Sequence, residues 1–309
     1  LILVQVIQAC PPQRRTVLEK DTPRFLTLAD GRKLCFQEYG DPQGHPVVYA
    51  HGAPSCRLEG AIFAKDAAQR GLRLIATDRP GFGQSDFLPG RQWTDYVKDV
   101  EQLTAHLGIG NFGHIGWSGG GPPTYAVAHY IPERLDFAIS LAGQPGLEDP
   151  EDKKLLSKAD QVAVSLLHTS PFFFRSFFNM MSAMDKLTPK LYYNSFTKSS
   201  GPDDARILNK PEVREWFSQV EAEAFRQGGK GVSWDAEIDY TGFGFRAQDV
   251  TYPVHVFQGD QDNYVPYDLQ KKFMSNMPNS VWHDLPGRGH FFPVEMTTEI
   301  MDLAKSLLQ

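Results

Sequence analysis

Cysteine is scarce in this 309-residue chain: Cys10, Cys35 and Cys56 are the only three, and no two lie close together. An odd number at these spacings fits neither a disulfide framework, a zinc site nor a redox dithiol. The thiols therefore read as buried or incidental, and the expected location is a reducing compartment, the cytoplasm. Excess positive charge is missing as well. Acidic residues outnumber basic ones by 37 to 31, giving a net charge of −6, which argues against a nucleic-acid partner. No apolar run reaches the ~18–20 residues that span a membrane. Long like-charge blocks, internal repeats and low-complexity tracts are also absent. The apolar opening "LILVQVIQAC" has no initiator Met and no preceding basic region. It reads as a docking segment, with the remnant of a signal sequence as the alternative.

What is present suits a large buried core, since 41% of residues are hydrophobic and 12% aromatic. From residue 25 onward, short β-rich runs alternate with helical patterns, which predicts an α/β fold with a parallel sheet. "RFLTLAD" and "KLCFQEYG" flank an Asp30-Gly31 turn and predict an opening antiparallel hairpin. "PVVYAHG", "LRLIATD", "FGHIGWS", "LDFAISLAG", "PVHVFQGD" and "SVWHDLP" predict further strands, with helices over roughly 57–70, 93–107, 119–131, 266–277 and 294–308. In open α/β sheets ligands bind at the carboxyl ends of the strands, so the loops that follow them are where chemistry is sought. Between Gly143 and Tyr252 about a hundred residues carry helical patterns and no convincing strand. They contain the cluster "PFFFRSFFNMMSAM" and a polar stretch, "TKSSGPDDARILNKP", read as a loop. A connection of that length is a subdomain or a lid.

Gly116-Trp117-Ser118-Gly119-Gly120 fits G-x-S-x-G at a strand–turn–helix junction. Small residues two before and two after the serine allow the backbone to turn sharply and present Oγ at the tip. Gly121 permits close helix–sheet packing, and Pro122 and Pro123 suit a first helical turn, whose N–H groups are unpaired in any case. A serine hydroxyl is a weak nucleophile at neutral pH and needs a base and a group to orient that base. His290 in "GRGHFFP", directly after the last strand, is the base; His114 and His283, inside strands, read as packing residues and His51 as a loop-shaping one. The acid should lie between serine and histidine in the chain, where "GDQDNYVP" supplies Asp262, with Asp260 in reserve. Donors for an oxyanion are expected from the N–H of Gly119 and from Ala53 in "HGAP".

Together these motifs resemble the α/β-hydrolase superfamily, over nearly everything from residue 25 to the C-terminus. The resemblance implies an eight-stranded, mostly parallel sheet flanked by helices, with a helical cap inserted after strand six. On that frame residues 1–24 are an N-terminal extension, 25–145 and 250–309 the core domain, and 146–249 the cap. "DRPGFGQSD", Asp78 to Asp86, reads as a structural loop in which Ser85 is no nucleophile. Ser118 at the elbow separates the chain from epoxide hydrolases and dehalogenases, which carry an Asp there. The elbow also departs from the "GGSWGS" of prolyl aminopeptidases, and "HGGG" of bulky-acyl lipases is absent. The implied activity is hydrolysis of a carboxylic ester or related acyl bond by a Ser118-His290-Asp262 triad, without cofactor or metal. Carbon–carbon bond or lactone hydrolysis, and receptor-like ligand capture, are the alternatives. The substrate expected is a small apolar ester, with Trp117, Phe173, Phe177 and Met181 among the residues that contact it. Most of the cluster from Phe172 to Met184, namely Phe172, Phe174, Phe178, Met180 and Met184 with the residues just named, is expected to form the cap's own core.

Overall fold

The computed structural model describes residues 22–308. Cys10 and the apolar opening segment therefore lie outside the described residues. Eight strands form one sheet: β1 (Arg24–Thr27), β2 (Lys33–Gly40), β3 (His45–Ala50), β4 (Leu72–Thr77), β5 (Phe112–Trp117), β6 (Leu135–Leu141), β7 (Val254–Gly259) and β8 (Val281–Leu285). Their order is β1-β2-β4-β3-β5-β6-β7-β8. β1 and β2 pair antiparallel about the Asp30-Gly31 turn, and β2 pairs antiparallel with β4; every other pairing is parallel. The opening hairpin and the mostly parallel sheet read from the sequence are both present.

Strands β3 to β7 are apolar on both faces, which requires cover on both sides. The cover comes from α1 (Ala64–Gln69) and α11 (Thr297–Ser306) on one face and from α2 (Trp93–His106), α3 (Gly121–Tyr130) and α10 (Tyr267–Ser275) on the other. Strand β3 shows the two-residue period: Val47 and Tyr49 enter the first cluster, Val48 and Ala50 the second.

Between β6 and β7 stand six helices: α4 (Lys158–Thr169), α5 (Pro171–Leu187), α6 (Pro189–Ser199), α7 (Pro202–Leu208), α8 (Pro211–Ala224) and α9 (Lys230–Thr241). Four of them begin with proline, whose missing N–H costs nothing in a first turn. This corrects the reading of "TKSSGPDDARILNKP" as a loop, because Pro202 starts α7 and Asp203 and Asp204 favour its positive N-terminus. The insertion is not a separate globule. Its core residues Phe174, Phe178, Tyr192, Val220 and Phe225 pack in one cluster with Cys56 and Phe82 of the main body. Cys35 and Cys56 are both buried free thiols.

The aromatic cluster of α5 divides otherwise than expected. Phe174 and Phe178 are buried, Met181 and Met184 half-buried, and Phe172, Phe173, Phe177 and Met180 exposed. Half of the large residues thus lie outside the core, because the helix turns that side to solvent. Among the described residues no helix is long and apolar enough to cross a membrane.

Candidate active site

The chain leaves β5 and re-enters a helix within three residues, through a 3-10 turn at Ser118–Gly120. Ser118 takes up φ of 56°, a left-handed conformation that costs a non-glycine residue about 1–2 kcal/mol. Its neighbours explain how the turn is held. A Cβ on Gly116 would lie 2.0 Å from the Gly120 carbonyl oxygen, and one on Gly120 would lie 2.1 Å from that of Ala50. Only glycine permits these approaches, and the resulting turn leaves Ser118 half-exposed between buried Trp117 and Gly119.

Two strand-end loops converge beside the turn. After β7, Asp262 Oδ1 accepts the N–H groups of Tyr264 and Val265 at 2.8 and 2.9 Å. Its Oδ2 meets Gln258 Nε2 at 3.0 Å and His290 Nδ1 at 2.8 Å. The carboxylate is thus fixed from four directions, and it obliges Nδ1 to carry the ring proton, leaving Nε2 as the free nitrogen. Asp260 does different work: it is exposed and accepts the Gly287 N–H at 2.7 Å, pinning the loop that leads to the histidine. Trp117, next to the serine, donates its Nε1–H to the His290 carbonyl at 3.2 Å, which ties the histidine loop to the elbow. Burial alone would push the His290 imidazole down. The carboxylates of Asp262, Asp204 and Glu59 outweigh it and hold the ring above the ordinary value of 6.5.

The third loop follows β3. The Gly52 N–H is committed to Glu59 Oε1 at 2.9 Å, which makes Ala53 the next N–H along the loop. Gly119 is the second residue of its 3-10 turn, so its N–H has no partner within that turn. The two residues touch: a Cβ on Gly119 would lie 3.2 Å from the Ala53 nitrogen. His51 shapes the loop, with its ring between the Gly52 carbonyl (2.6 Å) and the Arg79 N–H (3.1 Å). The fully buried Arg79 guanidinium donates to the carbonyls of His51 and Gly52, the latter at 3.0 Å, and its Nε donates to Asp235 on α9 at 2.9 Å. Arg91 also pairs with Asp235. Asp78 is buried under the same loop and held by Arg57, and Ser85 Oγ accepts the Cys35 N–H at 2.8 Å, so "DRPGFGQSD" is structural.

Of the residues singled out in the sequence, Ser118, Asp262, His290, Ala53 and Gly119 gather in this region. Trp117 is buried and stacked on Trp216 of α8 at 6.5 Å. Met181 packs against the cluster that includes Ala53. Phe173 and Phe177 stand in solvent. His114, bonded to Tyr96 and Thr124, is a packing residue. Sequence reading missed the insertion's grip on the histidine loop. Asp204 Oδ1 accepts the Phe291 N–H at 2.7 Å, and Asp203 Oδ2 accepts the Gly289 N–H at 3.0 Å. Their one sequence signal is an acidic pair after a helix-starting proline, which says nothing of a partner 86 residues on. Glu59, buried and bonded to Tyr49 OH at 2.7 Å, was missed as well, since a lone Glu seven residues after Gly52 carries no motif.

A parallel sheet with an antiparallel start, a strained serine after β5, and an acid and a histidine in the loops after β7 and β8 define the α/β-hydrolase class. A family model of the alpha/beta hydrolase fold matches residues 45–296, and the chain belongs to that family of hydrolases. It is 25% identical over 295 residues to a bifunctional esterase/perhydrolase of Acinetobacter calcoaceticus, covering 92% of this chain and 98% of that protein. A non-heme haloperoxidase of Rhodococcus erythropolis is 26% identical over 249 residues, 78% of this chain and 83% of that one. Among solved structures, a bromoperoxidase from Bacillus anthracis superposes with a TM-score of 0.70 at 21% identity, covering 93% of this chain and 99% of that one.

Proposed function

We propose that the protein is a serine hydrolase of carboxylic esters or related acyl bonds, with Ser118 as nucleophile, His290 as base and Asp262 as its orienting acid. The observation that carries the reading is the Asp262–His290 pair at 2.8 Å, tied through Trp117 to the turn that holds Ser118 at positive φ. The esterase named among the relatives supports it. Residues 25–145 and 250–309 form the catalytic core and 146–249 a cap over it, with Trp117 and Met181 bordering the space for a small apolar substrate.

In this mechanism His290 Nε2 takes the Ser118 proton while Oγ bonds to the carbonyl carbon. The N–H groups of Ala53 and Gly119 hold the resulting oxyanion, and Asp262 stabilises the imidazolium. The imidazolium then protonates the departing alcohol oxygen as its bond to carbon breaks, leaving an acyl-serine. Water, deprotonated by His290, attacks that ester and releases the acid, and the proton returns to Ser118.

A fluorophosphonate probe followed by peptide mapping tests the assignment. Labelling at Ser118, abolished in Ser118→Ala together with turnover of p-nitrophenyl esters, is the expected result. Labelling elsewhere, or full activity in Ser118→Ala, would refute it. Lactones and diketones in the same substrate panel separate acyl-ester hydrolysis from the neighbouring chemistries.

A further inference from the structure

Helix α5 is apolar on two sides. Phe174 and Phe178 face the interior of the insertion, whereas Phe173, Phe177, Met180 and Leu187 are exposed. Those four fall within about an 80° arc at 100° per residue. Phe172, 74% exposed, and Leu191 on α6 extend the stripe at its two ends, and Leu187 between them is 81% exposed. Met184, in the same arc, turns partly inward against the insertion's core, and the exposed apolar side chains beside it mark an interaction surface.

The charge around it indicates which kind. Residues 158–200 carry Lys158, Arg175, Lys186, Lys190 and Lys198 against Asp160 and Asp185, a net +3, while the rest of the chain carries −9 to make the total of −6. Neither carboxylate faces out freely. Asp185 is buried, and Asp160 is bonded to Ser157 and to Tyr240. Arg175 pairs with Glu237, but Lys158, Lys186, Lys190 and Lys198 are exposed and form no salt bridge among the described residues, Lys186 lying near the buried Asp185 and donating to the Arg226 carbonyl at 3.4 Å. Lys186 and Lys190 bracket Leu187, and Lys190 adjoins Leu191.

We propose that the outer face of α5 and the start of α6 is a docking surface for an anionic lipid interface. Phenyl, methionine and leucine side chains enter the headgroup boundary, and the flanking lysines meet the lipid charge, which is how in-plane amphipathic helices bind. The acidic remainder of the molecule is repelled by the same surface, so the charge distribution orients the approach. A second copy of the chain is a poorer occupant, because a two-fold contact would set the unpaired lysines against their own counterparts.

Co-sedimentation with vesicles tests this independently of catalysis. The parent protein and Ser118→Ala should bind equal mixtures of phosphatidylglycerol and phosphatidylcholine at low salt, release in 0.5 M salt, and bind pure phosphatidylcholine at least tenfold more weakly. Phe172→Ser/Phe173→Ser should weaken partitioning about tenfold or more, and Lys186→Glu/Lys190→Glu should remove the preference for anionic lipid. Leu187→Ser alone is a milder variant at a fully exposed site that tests the same face with no risk to folding. No binding to anionic vesicles, or binding that the Phe and Leu variants leave unchanged, would overturn the proposal. A concentration-dependent dimer dissolved by those substitutions would assign the face to a second copy and overturn it as well.

Discussion

Replacing Arg79 by alanine tests how the loop after β3, the proposed carrier of the Ala53 donor, is held. The guanidinium is fully buried and serves three groups at once: the carbonyls of His51 and Gly52 and the carboxylate of Asp235. Its removal leaves the buried His51 carbonyl short of a donor, at about 1–3 kcal/mol, whereas the Gly52 carbonyl keeps the His51 Nδ1–H at 2.6 Å. Asp235 retains Arg91, so the full penalty for a stranded buried charge does not apply. The lost charge-assisted bond to Asp235 adds about 1.5–3 kcal/mol, so the expected loss is about 2.5–6 kcal/mol, a large fraction of the roughly 5–15 kcal/mol that stabilises a domain. A urea titration measures that loss. Where the variant is folded, turnover should fall about a hundredfold, because the Ala53 N–H shifts with its loop and misplacement by about 1 Å has that effect. Arg79→Lys should rescue little, since one ammonium cannot reach three acceptors that a planar fork meets together. Unchanged stability in Arg79→Ala would refute the burial reasoning. Lowered stability with kcat/KM within twofold of the parent would show that Arg79 supports the fold but does not position the donor.

Three further outcomes follow from the site. Asp262→Asn should lower kcat about 10⁴-fold by presenting the wrong histidine tautomer, whereas Asp260→Asn, at an exposed loop pin, should change it little in the same ester assay. Because His290 must be neutral to act and is held above 6.5 by nearby carboxylates, kcat/KM should rise with pH through a midpoint above that value. Its midpoint should move to lower pH in Asp204→Asn, which removes one of the charges while an amide oxygen can still accept the Phe291 N–H. Asp203, Arg288 and Tyr264 also flank the ring, but only Asp262 and Glu59 share the upward pull, so a pH–rate profile that stays put would assign the effect to those two. Gly120→Ala should cost about 3 kcal/mol or more, read as a lower unfolding midpoint, because its Cβ would press on the Ala50 carbonyl oxygen at 2.1 Å.

The residues that were legible in the sequence are those whose roles depend on local backbone. β-Branched runs gave the strands, the glycines at 116 and 120 gave the tight turn after β5, and the polar loops after β7 and β8 supplied the proposed acid Asp262 and base His290. Position along the turn, further from the strand end, favoured Asp262 over Asp260; in the folded loop one carboxylate turns inward to four partners and the other outward to Gly287. What was illegible depends on contacts across long separations. Asp203 and Asp204 seat a loop 86 and 87 residues away, and Arg79 meets Asp235 at a separation of 156. The side that α5 would bury could not be read either. Both of its faces are apolar, so periodicity identifies a helix without indicating which stripe faces in.

The two long-range grips have a consequence for how such a scaffold is altered. Asp235 anchors the loop on one flank of Ser118, and Asp203 with Asp204 anchors the loop on the other. The insertion is thus a keystone and not an interchangeable module. A chimera that imports a foreign insertion should retain these three carboxylates at their docking points, and a shortened chain joining residue 145 to 250 should lose the frame that holds both loops.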